Sequence, residues 1–117
     1  MMKPGILGSR SEKLALKFLT NENLILQEKN YHCRYGEIDL IMWDQDYLVF
    51  VEVRYRKNNL FGGALESVDH KKQAKLTRSA QDYLIKNKNS ECACRFDILC
   101  ISGSLNKPEY QWVKNAF

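Results

Sequence analysis

The distribution of apolar and polar residues between Gly36 and Arg56 predicts a β-hairpin. Two strand-like apolar runs flank Gln45 and Asp46, and a two-residue loop at that point pairs residues whose numbers sum to 91. Because side chains alternate between the two faces of a strand, one set of hairpin residues is expected in the core. That set consists of Ile38, Leu40, Met42, Val49, Val51 and Val53.

The same register brings charged residues together inside the apolar runs. Asp39 is expected opposite Glu52, and Glu37 opposite Arg54. Directly opposed side chains have Cβ atoms about 4.5–5.5 Å apart, which is close enough for two carboxylates to share one divalent cation. Like charges at that distance destabilise a sheet on their own. The pattern therefore indicates either a metal site or an acidic pair neutralised by Arg54 and Arg56.

The periodicity of apolar residues predicts one helix before the hairpin and one after it. The first is expected to begin with Ser9 as its N-cap and to end between Asn21 and Asn23. Glu12 falls on its inward face, from which a carboxylate can reach the hairpin, but Ser9 and Glu12 also have the spacing of a capping box. The second helix is expected from Ser67 to Lys86, with four inward residues, Leu76, Ala80, Tyr83 and Leu84.

Further strands and loops complete the predicted order. A strand from Leu24 to Tyr35 precedes the hairpin, a fourth strand runs from Cys94 to Ile101, and a short strand or tail follows from Glu109. The paired glycines between Lys57 and Ala64 suggest a flap or a close approach to a ligand. The order helix, three strands, helix and strand predicts an α/β fold, a mixed β-sheet flanked by helices in one domain spanning 1–117.

Composition and charge narrow the class of protein. A chain of 117 residues fits one domain, and the start has no signal-peptide core, so a cytoplasmic protein without a membrane span is expected. The net charge of +4 is uneven, because residues 53–88 hold nine Lys or Arg and three acids, a local +6. A basic segment beside an acidic pair suits an enzyme that acts on a polyanion, although a solvated helix face gives the same pattern.

Two smaller groups of residues are further candidates for a chemical role. Asp97 is either a further site residue or the partner of Arg95 on the fourth strand. The cysteines form no Cys-x-x-Cys pair, so free and mostly buried thiols are expected in a reducing compartment. A zinc site can be drawn only from a weakly spaced set, His32, Cys33, Cys92 and Cys94.

Several strings of residues occur in an order and spacing typical of one protein family. They are Gly8, Glu12 and Ala15; Asn30-Tyr31; Gly36-Glu-Ile-Asp-Leu-Ile41; Phe50-Val-Glu-Val-Arg-Tyr-Arg56; Phe61-Gly62; Lys71-Lys72; Arg95-Phe-Asp97; and Asn115-Ala-Phe117. In these strings the chain resembles, over nearly its whole length, the YraN-like family of predicted endonucleases. That family is a branch of the PD-(D/E)XK nuclease superfamily and is similar to archaeal Holliday junction resolvases.

The resemblance implies a restriction-endonuclease-like fold and a Mg²⁺ or Mn²⁺ site. Asp39 and Glu52 would be its first and second acids, Glu12 a helix-borne acid, and the Val53 carbonyl a further oxygen ligand. Arg54 stands where the superfamily usually has lysine. Because arginine keeps its charge, it is expected to stabilise charge while the metal activates the attacking water.

The resemblance also implies DNA as the substrate, with branched DNA as one candidate form. Flanking phosphates are expected to contact a basic set formed by Arg56, Lys57, Lys71, Lys72, Lys75 and Arg78. Similar resolvases act as symmetric dimers, so a homodimer is a further expectation, with no interface identified. The alternative is a non-catalytic nucleic-acid-binding protein on a nuclease scaffold, and a third interpretation is an interaction module without a nucleic-acid partner.

Overall fold

A computed structural model describes residues 5–57, 66–88 and 91–117, with side chains described from Ser9 onward in the first range. Seven elements follow one another: α1 (Gly5–Asn21), β1 (Ile25–Cys33), β2 (Gly36–Asp44), β3 (Tyr47–Arg56), α2 (His70–Lys86), β4 (Ala93–Ser104) and β5 (Lys107–Val113). This order confirms the predicted α/β fold, and the terminal element is a strand.

The five strands form one mixed sheet in the order β1-β2-β3-β4-β5. Strands β3 and β4 are parallel and joined by the crossover that contains α2, whereas every other neighbouring pair is antiparallel. The central strand β3 is buried from Leu48 to Val53. Its nearly continuous apolar sequence follows from having helices over both faces.

Each face of the sheet packs against one helix. Ala15 and Leu19 of α1 lie in a buried cluster with alternate residues of β3 and β4, including Val51 and Leu99. On the other face, α2 contributes Leu76, Ala80 and Tyr83, three of the four inward residues predicted for it, while Leu84 packs at the margin. The sheet therefore lies between the two helices.

The predicted hairpin register is confirmed where the two strands pair. Leu40 lies opposite Val51 and Asp44 opposite Tyr47, as a loop at Gln45 and Asp46 requires. Gln45 has a φ of 56°, the left-handed conformation that a tight hairpin turn needs at its first position.

The helix starts differ from the predictions. Because α1 begins at Gly5, Ser9 lies inside the helix, and the prediction of Ser9 as N-cap, with its capping box to Glu12, is wrong. Helix α2 begins at His70, three residues later than expected, because the Asp69 side chain accepts a hydrogen bond of 2.9 Å from the Lys72 amide and caps it. The predicted flap between Lys57 and Ala64 lies outside the described residues from residue 58 onward.

In β2 the alternation of side chains between the two faces of the sheet is interrupted at Asp39. Ile38 packs on the α2 side together with Ile41, whereas Leu40 packs on the α1 side, so strict alternation fails across Asp39. The neighbouring strand shows the matching irregularity, since Asn30 lies between the pairs Lys29–Leu40 and Tyr31–Ile38 and has a φ of 54°. The expectation that Ile38 shares a core face with Leu40 is therefore wrong, although both residues are buried.

The buried carboxylate of Asp97 links β4 to β5 and to the residues that follow β5. Its carboxylate accepts hydrogen bonds from Arg95 (2.9 and 3.0 Å), from Trp112 Nε1 (2.9 Å) and from the Asn115 amide (3.0 Å). Arg95 also donates to Asp44 at 2.9 Å, which links β4 to the hairpin turn. The interpretation of Asp97 as the partner of Arg95 is confirmed.

All four cysteines are free. Cys100 is buried and the other three are half-buried, so the thiols are less enclosed than expected. The Sγ atoms of Cys92 and Cys94 lie 3.9 Å apart, and burial together with that contact raises the pKa of Cys94 to about 11. Within the described ranges, no helix has the length and apolarity needed to cross a membrane.

Candidate metal and phosphate site

Asp39 lies where β2 and β3 separate. Its side chain is 1% exposed, and Oδ2 accepts a hydrogen bond of 2.8 Å from the backbone amide of Val53. A carboxylate thus takes the place of a strand carbonyl as acceptor for β3. Because Val53 directly follows Glu52, this bond fixes the Asp39 carboxylate beside the backbone that carries the second acid.

Glu52 is the second buried acid, 4% exposed on β3. Its Oε2 lies 3.2 Å from Nη2 of Arg54 and 3.6 Å from Nζ of Lys72. Both contacts are ion pairs that offset the cost of burying a carboxylate. Glu52 is therefore neutralised in part by Arg54, as the second interpretation of the sequence predicted, and also by Lys72.

The predicted cross-strand pairs Asp39–Glu52 and Glu37–Arg54 do not form, because β2 pairs with β3 only from Leu40–Val51 to Asp44–Tyr47. Glu37 lies opposite His32 of β1, and its Oε2 is 3.7 Å from His32 Nε2. The register itself is correct, but β2 leaves β3 before it reaches Glu37 because the Asp39 side chain occupies the Val53 amide. As a result Arg54 is directed to Glu52, on its own strand.

Glu12 is half-buried on α1, on the inward side predicted for it. It lines a small cavity of about 80 Å³ with Lys29, Asn30 and Leu40, among other residues. Asn30 and Leu40 are the two neighbours of Asp39, across the strand pair and along the chain. The fold therefore brings Glu12 to the point where β2 changes face, one residue from the first acid.

The three acids do not form a ready-made chelate. Across residues 5–57, 66–88 and 91–117, no three His, Cys, Asp or Glu side chains could jointly hold a metal ion, and this includes the weak zinc set. Mg²⁺ commonly binds one or two carboxylates and completes its shell with water and substrate phosphate. Asp39 and Glu52 are two buried carboxylates with the hard oxygen atoms that such an ion needs, so their chemistry fits Mg²⁺ or Mn²⁺.

The basic set surrounds this point with different degrees of exposure. Lys71, Lys75 and Arg78 are exposed on α2, whereas Lys72 turns inward to Glu52 with 34% of its side chain exposed. Arg56 and Lys57 are exposed at the end of β3. Lys57 and Arg10 line an open groove of about 400 Å³ beside the β4–β5 turn.

Sequence reasoning did not predict the role of Lys72 as a partner of Glu52. The sequence does contain a local indication of this contact. Asp69 caps α2 and so places Lys72 on the first helical turn, against the sheet. Arg54 has a second feature that only coordinates reveal. Its Nε is buried and has no hydrogen-bond partner among the described residues, so a donor remains available beside Glu52.

Comparison with known proteins places the chain in a family. A family model described as "Uncharacterised protein family UPF0102" matches residues 11–101. A UPF0102 protein of Nitrosomonas eutropha is 53% identical over 110 residues, covering 94% of this chain and 91% of that protein. Relatives from Nitrosomonas europaea and Legionella pneumophila are each 47% identical, covering 100% and 94% of this chain and 98% and 92% of their own lengths. The chain belongs to the UPF0102 family, which confirms the YraN-like resemblance at the family level.

Proposed function

We propose that this chain is a Mg²⁺- or Mn²⁺-dependent DNA endonuclease of the PD-(D/E)XK type. The observation that carries the proposal is the presence of two buried acids, Asp39 and Glu52, with the Asp39 carboxylate held by the amide of Val53, the residue after Glu52. Two cationic side chains lie against the second acid within 3.6 Å. Buried carboxylates beside fixed cations are typical of sites that bind a metal and a phosphate together.

The metal would be held by oxygen atoms from the two central strands and α1. Asp39 and Glu52 would supply carboxylate oxygens, the Val53 carbonyl another oxygen, and Glu12 a further ligand, directly or through water. When bound, such an ion supplies Lewis-acid chemistry and activates a water for in-line attack at phosphorus.

Arg54 and Lys72 have separate tasks in this proposal. Arg54 stabilises the negative charge that grows on the phosphate oxygens, since its guanidinium presents donors in a fixed planar fork and its Nε is already beside the site. Lys72 compensates the Glu52 charge from the side of α2. The exposed members of the basic set bind flanking phosphates and position the strand.

The test compares cleavage of plasmid and branched DNA with Mn²⁺ by the natural protein and by Asp39→Asn and Glu52→Gln. Each substitution keeps the side-chain shape but removes the charge, so the rate is expected to fall at least about 100-fold, as when one group that stabilises the transition state is lost. Glu28→Gln is the matched control, because Glu28 is an exposed carboxylate on β1. Cleavage that persists in both site variants would refute the proposal.

A second function is favoured by one specific observation. The ion pairs of Glu52 with Arg54 and Lys72 satisfy its charge without a metal, as a nucleic-acid-binding protein on a nuclease scaffold requires. This alternative predicts salt-dependent DNA binding that needs no divalent cation. Calorimetric titration with Mn²⁺ separates the two functions, because binding that Asp39→Asn abolishes supports the enzyme and no heat of binding supports the scaffold.

A further inference from the structure

A groove of about 290 Å³ lies between the β1–β2 turn and the outer face of α2. It is lined by Tyr35 from the turn and by Arg78, Gln81, Asp82 and Ile85 from the helix, and we call it the Tyr35 groove. Its volume is close to the smallest typical of small-molecule sites, about 300 Å³. The groove is separate from the acidic pair, and none of its residues has been given a role above except Arg78.

A glycine at the β1–β2 turn allows the turn to approach α2 closely. Gly36 has a φ of 148°, and a Cβ built there would lie 3.6 Å from Ser79 Oγ and 4.0 Å from Lys75 Cβ. The backbone of the turn therefore runs directly against α2, in a conformation that side-chain-bearing residues rarely adopt. This close approach sets the Tyr35 ring beside the helix.

The groove combines apolar surface with positive charge. Ile85 is 74% exposed, and the Tyr35 ring, half-buried, has the guanidinium of Arg34 5.3 Å from its centroid. The one acid in the lining, Asp82, already accepts a hydrogen bond of 2.5 Å from Tyr31 and pairs with Lys86 at 3.0 Å.

The charge balance of the groove favours an anionic ligand with a flat apolar part. The pKa of the Asp82 carboxyl is lowered, first by the hydrogen bonds from Tyr31 and Lys86 and then by the charges of Lys86 and Arg34. Within the lining, Arg78 balances the charge of Asp82, and two further cations adjoin it, Arg34 over the Tyr35 ring and Lys86 beside Asp82. An aromatic ring accompanied by cations is an arrangement on which unpaired bases stack while their phosphates are neutralised.

We propose that the Tyr35 groove binds one unpaired nucleotide of a nucleic-acid substrate, with the base stacked on Tyr35. Arg34 and Arg78 contact the adjoining phosphates, and the Gln81 amide lies within the groove where it can hydrogen-bond to a base edge. The proposal rests on the proposed function, because it assumes that this chain binds DNA. It deepens that function by selecting substrates with unpaired nucleotides, such as flaps, loops and branch points.

The position of the groove supports this choice of substrate. Arg78 follows Lys72, which contacts Glu52, by six residues on the same helix, a distance of about 9 Å along its axis. A DNA strand that is bound near the acids and runs along α2 reaches the groove a short distance from the site. A continuous duplex keeps its bases stacked inside and cannot place one on Tyr35.

The test measures binding, without divalent metal, of labelled oligothymidine and of a blunt duplex by fluorescence anisotropy. Tyr35→Ala is expected to weaken oligothymidine binding about 5- to 150-fold, the range for loss of one base–aromatic stack, and to leave duplex binding unchanged. Tyr35→Phe should bind like the natural protein, because it keeps the ring. Tyr47→Ala is the matched control, since Tyr47 is also exposed, with Arg95 5.7 Å from its ring centroid, at the far end of β3.

Three outcomes would overturn the inference. They are an unchanged affinity of Tyr35→Ala for oligothymidine, an equal loss for oligothymidine and duplex, and a loss of self-association measured by sedimentation in place of a loss of DNA binding. The last would identify the groove as an interface between copies. Duplex binding and metal-dependent cleavage that survive these results would leave the proposed function intact, whereas a chain that binds no DNA would refute both.

Discussion

Arg54 is the residue on which the proposed chemistry of the site depends most. It contacts Glu52 at 3.2 Å and carries a buried Nε without a described partner, so its position combines an ion pair with an available donor. A lysine at this position can lose its proton and assist the attack of water, whereas an arginine cannot. The structure therefore links one side chain to a testable difference in pH dependence.

Two substitutions, Arg54→Lys and Arg54→Gln, distinguish the effect of a positive charge at this position from the effect of a group that can lose a proton. Arg54→Gln is expected to lower the Mn²⁺-dependent cleavage rate about 100- to 1,000-fold, since it removes a cation aimed at the developing phosphate charge. Arg54→Lys should keep the ion pair with Glu52 and retain activity, and its rate should gain a dependence on pH where the lysine titrates.

The measurement is the cleavage rate of each variant as a function of pH, with thermal melting as the check on folding. Lys17→Gln is the control, because Lys17 is an exposed cation on α1, outside the basic set. If Arg54→Gln cleaves as fast as the natural protein, Arg54 has no part in the reaction.

At the scale of the elements, the failure of side-chain alternation in β2 at Asp39, which we call the strand break, positions the site. Asn30, with a φ of 54°, lies in β1 between the residues that pair with Leu40 and Ile38, and we expect its conformation to make this possible. Asparagine adopts that conformation more readily than most residues, because its short polar side chain can hydrogen-bond locally. The strand break depends on it, and the separation of β2 from β3 allows the Asp39 carboxylate to meet the Val53 amide.

Substitution of Asn30 tests this role. Asn30→Val is expected to lower the free energy of unfolding by about 1–2 kcal/mol, because a β-branched residue is strained at positive φ, whereas Asn30→Gly should change it little. Glu28→Val is the control, an exposed β1 position for which no positive φ is found. Urea denaturation gives the comparison, and an Asn30→Val variant as stable as the natural protein would show that the strand break does not need a left-handed residue.

The elements also show what a sequence can and cannot predict. The hairpin register was predictable because a two-residue loop fixes every opposed pair from Leu40–Val51 to Asp44–Tyr47. The assignment of Glu37 to Arg54 failed because it extended that register past Asp39, where a side chain replaces a backbone acceptor. No local pattern marks such a replacement, since it requires a neighbouring strand to be in place.

Helix starts and long-range ion pairs were less predictable for a similar reason. Ser9 and Glu12 have the spacing of a capping box, yet the helix continues back to Gly5, so the spacing was coincidental. Lys72 looked like one of several surface lysines until α2 was packed on the sheet and brought its Nζ to 3.6 Å from Glu52. Contacts between elements distant in sequence depend on packing that periodicity alone does not specify.

At the scale of the whole molecule, positive charge is concentrated around the acidic site. The local +6 of residues 53–88 falls on the end of β3 and on α2, and the remainder of the chain sums to −2. Within the basic set Lys72 is engaged with Glu52, and the other five members are exposed, Arg56, Lys57, Lys71, Lys75 and Arg78. If the chain binds DNA as we propose, these charges attract it and screening by salt should weaken that attraction.

The salt dependence of duplex DNA binding measures how many of these residues act. If all five neutralise phosphates, the slope of log K against log salt concentration is expected to be about −4.5, because each contact releases condensed counterions. The double variant Lys71→Gln, Lys75→Gln should make the slope shallower by about 2, while Lys17→Gln on α1, the helix over the other face of the sheet, should not change it. Binding titrations at several salt concentrations test this, and a natural protein whose affinity does not vary with salt would exclude the basic face as a phosphate-binding surface.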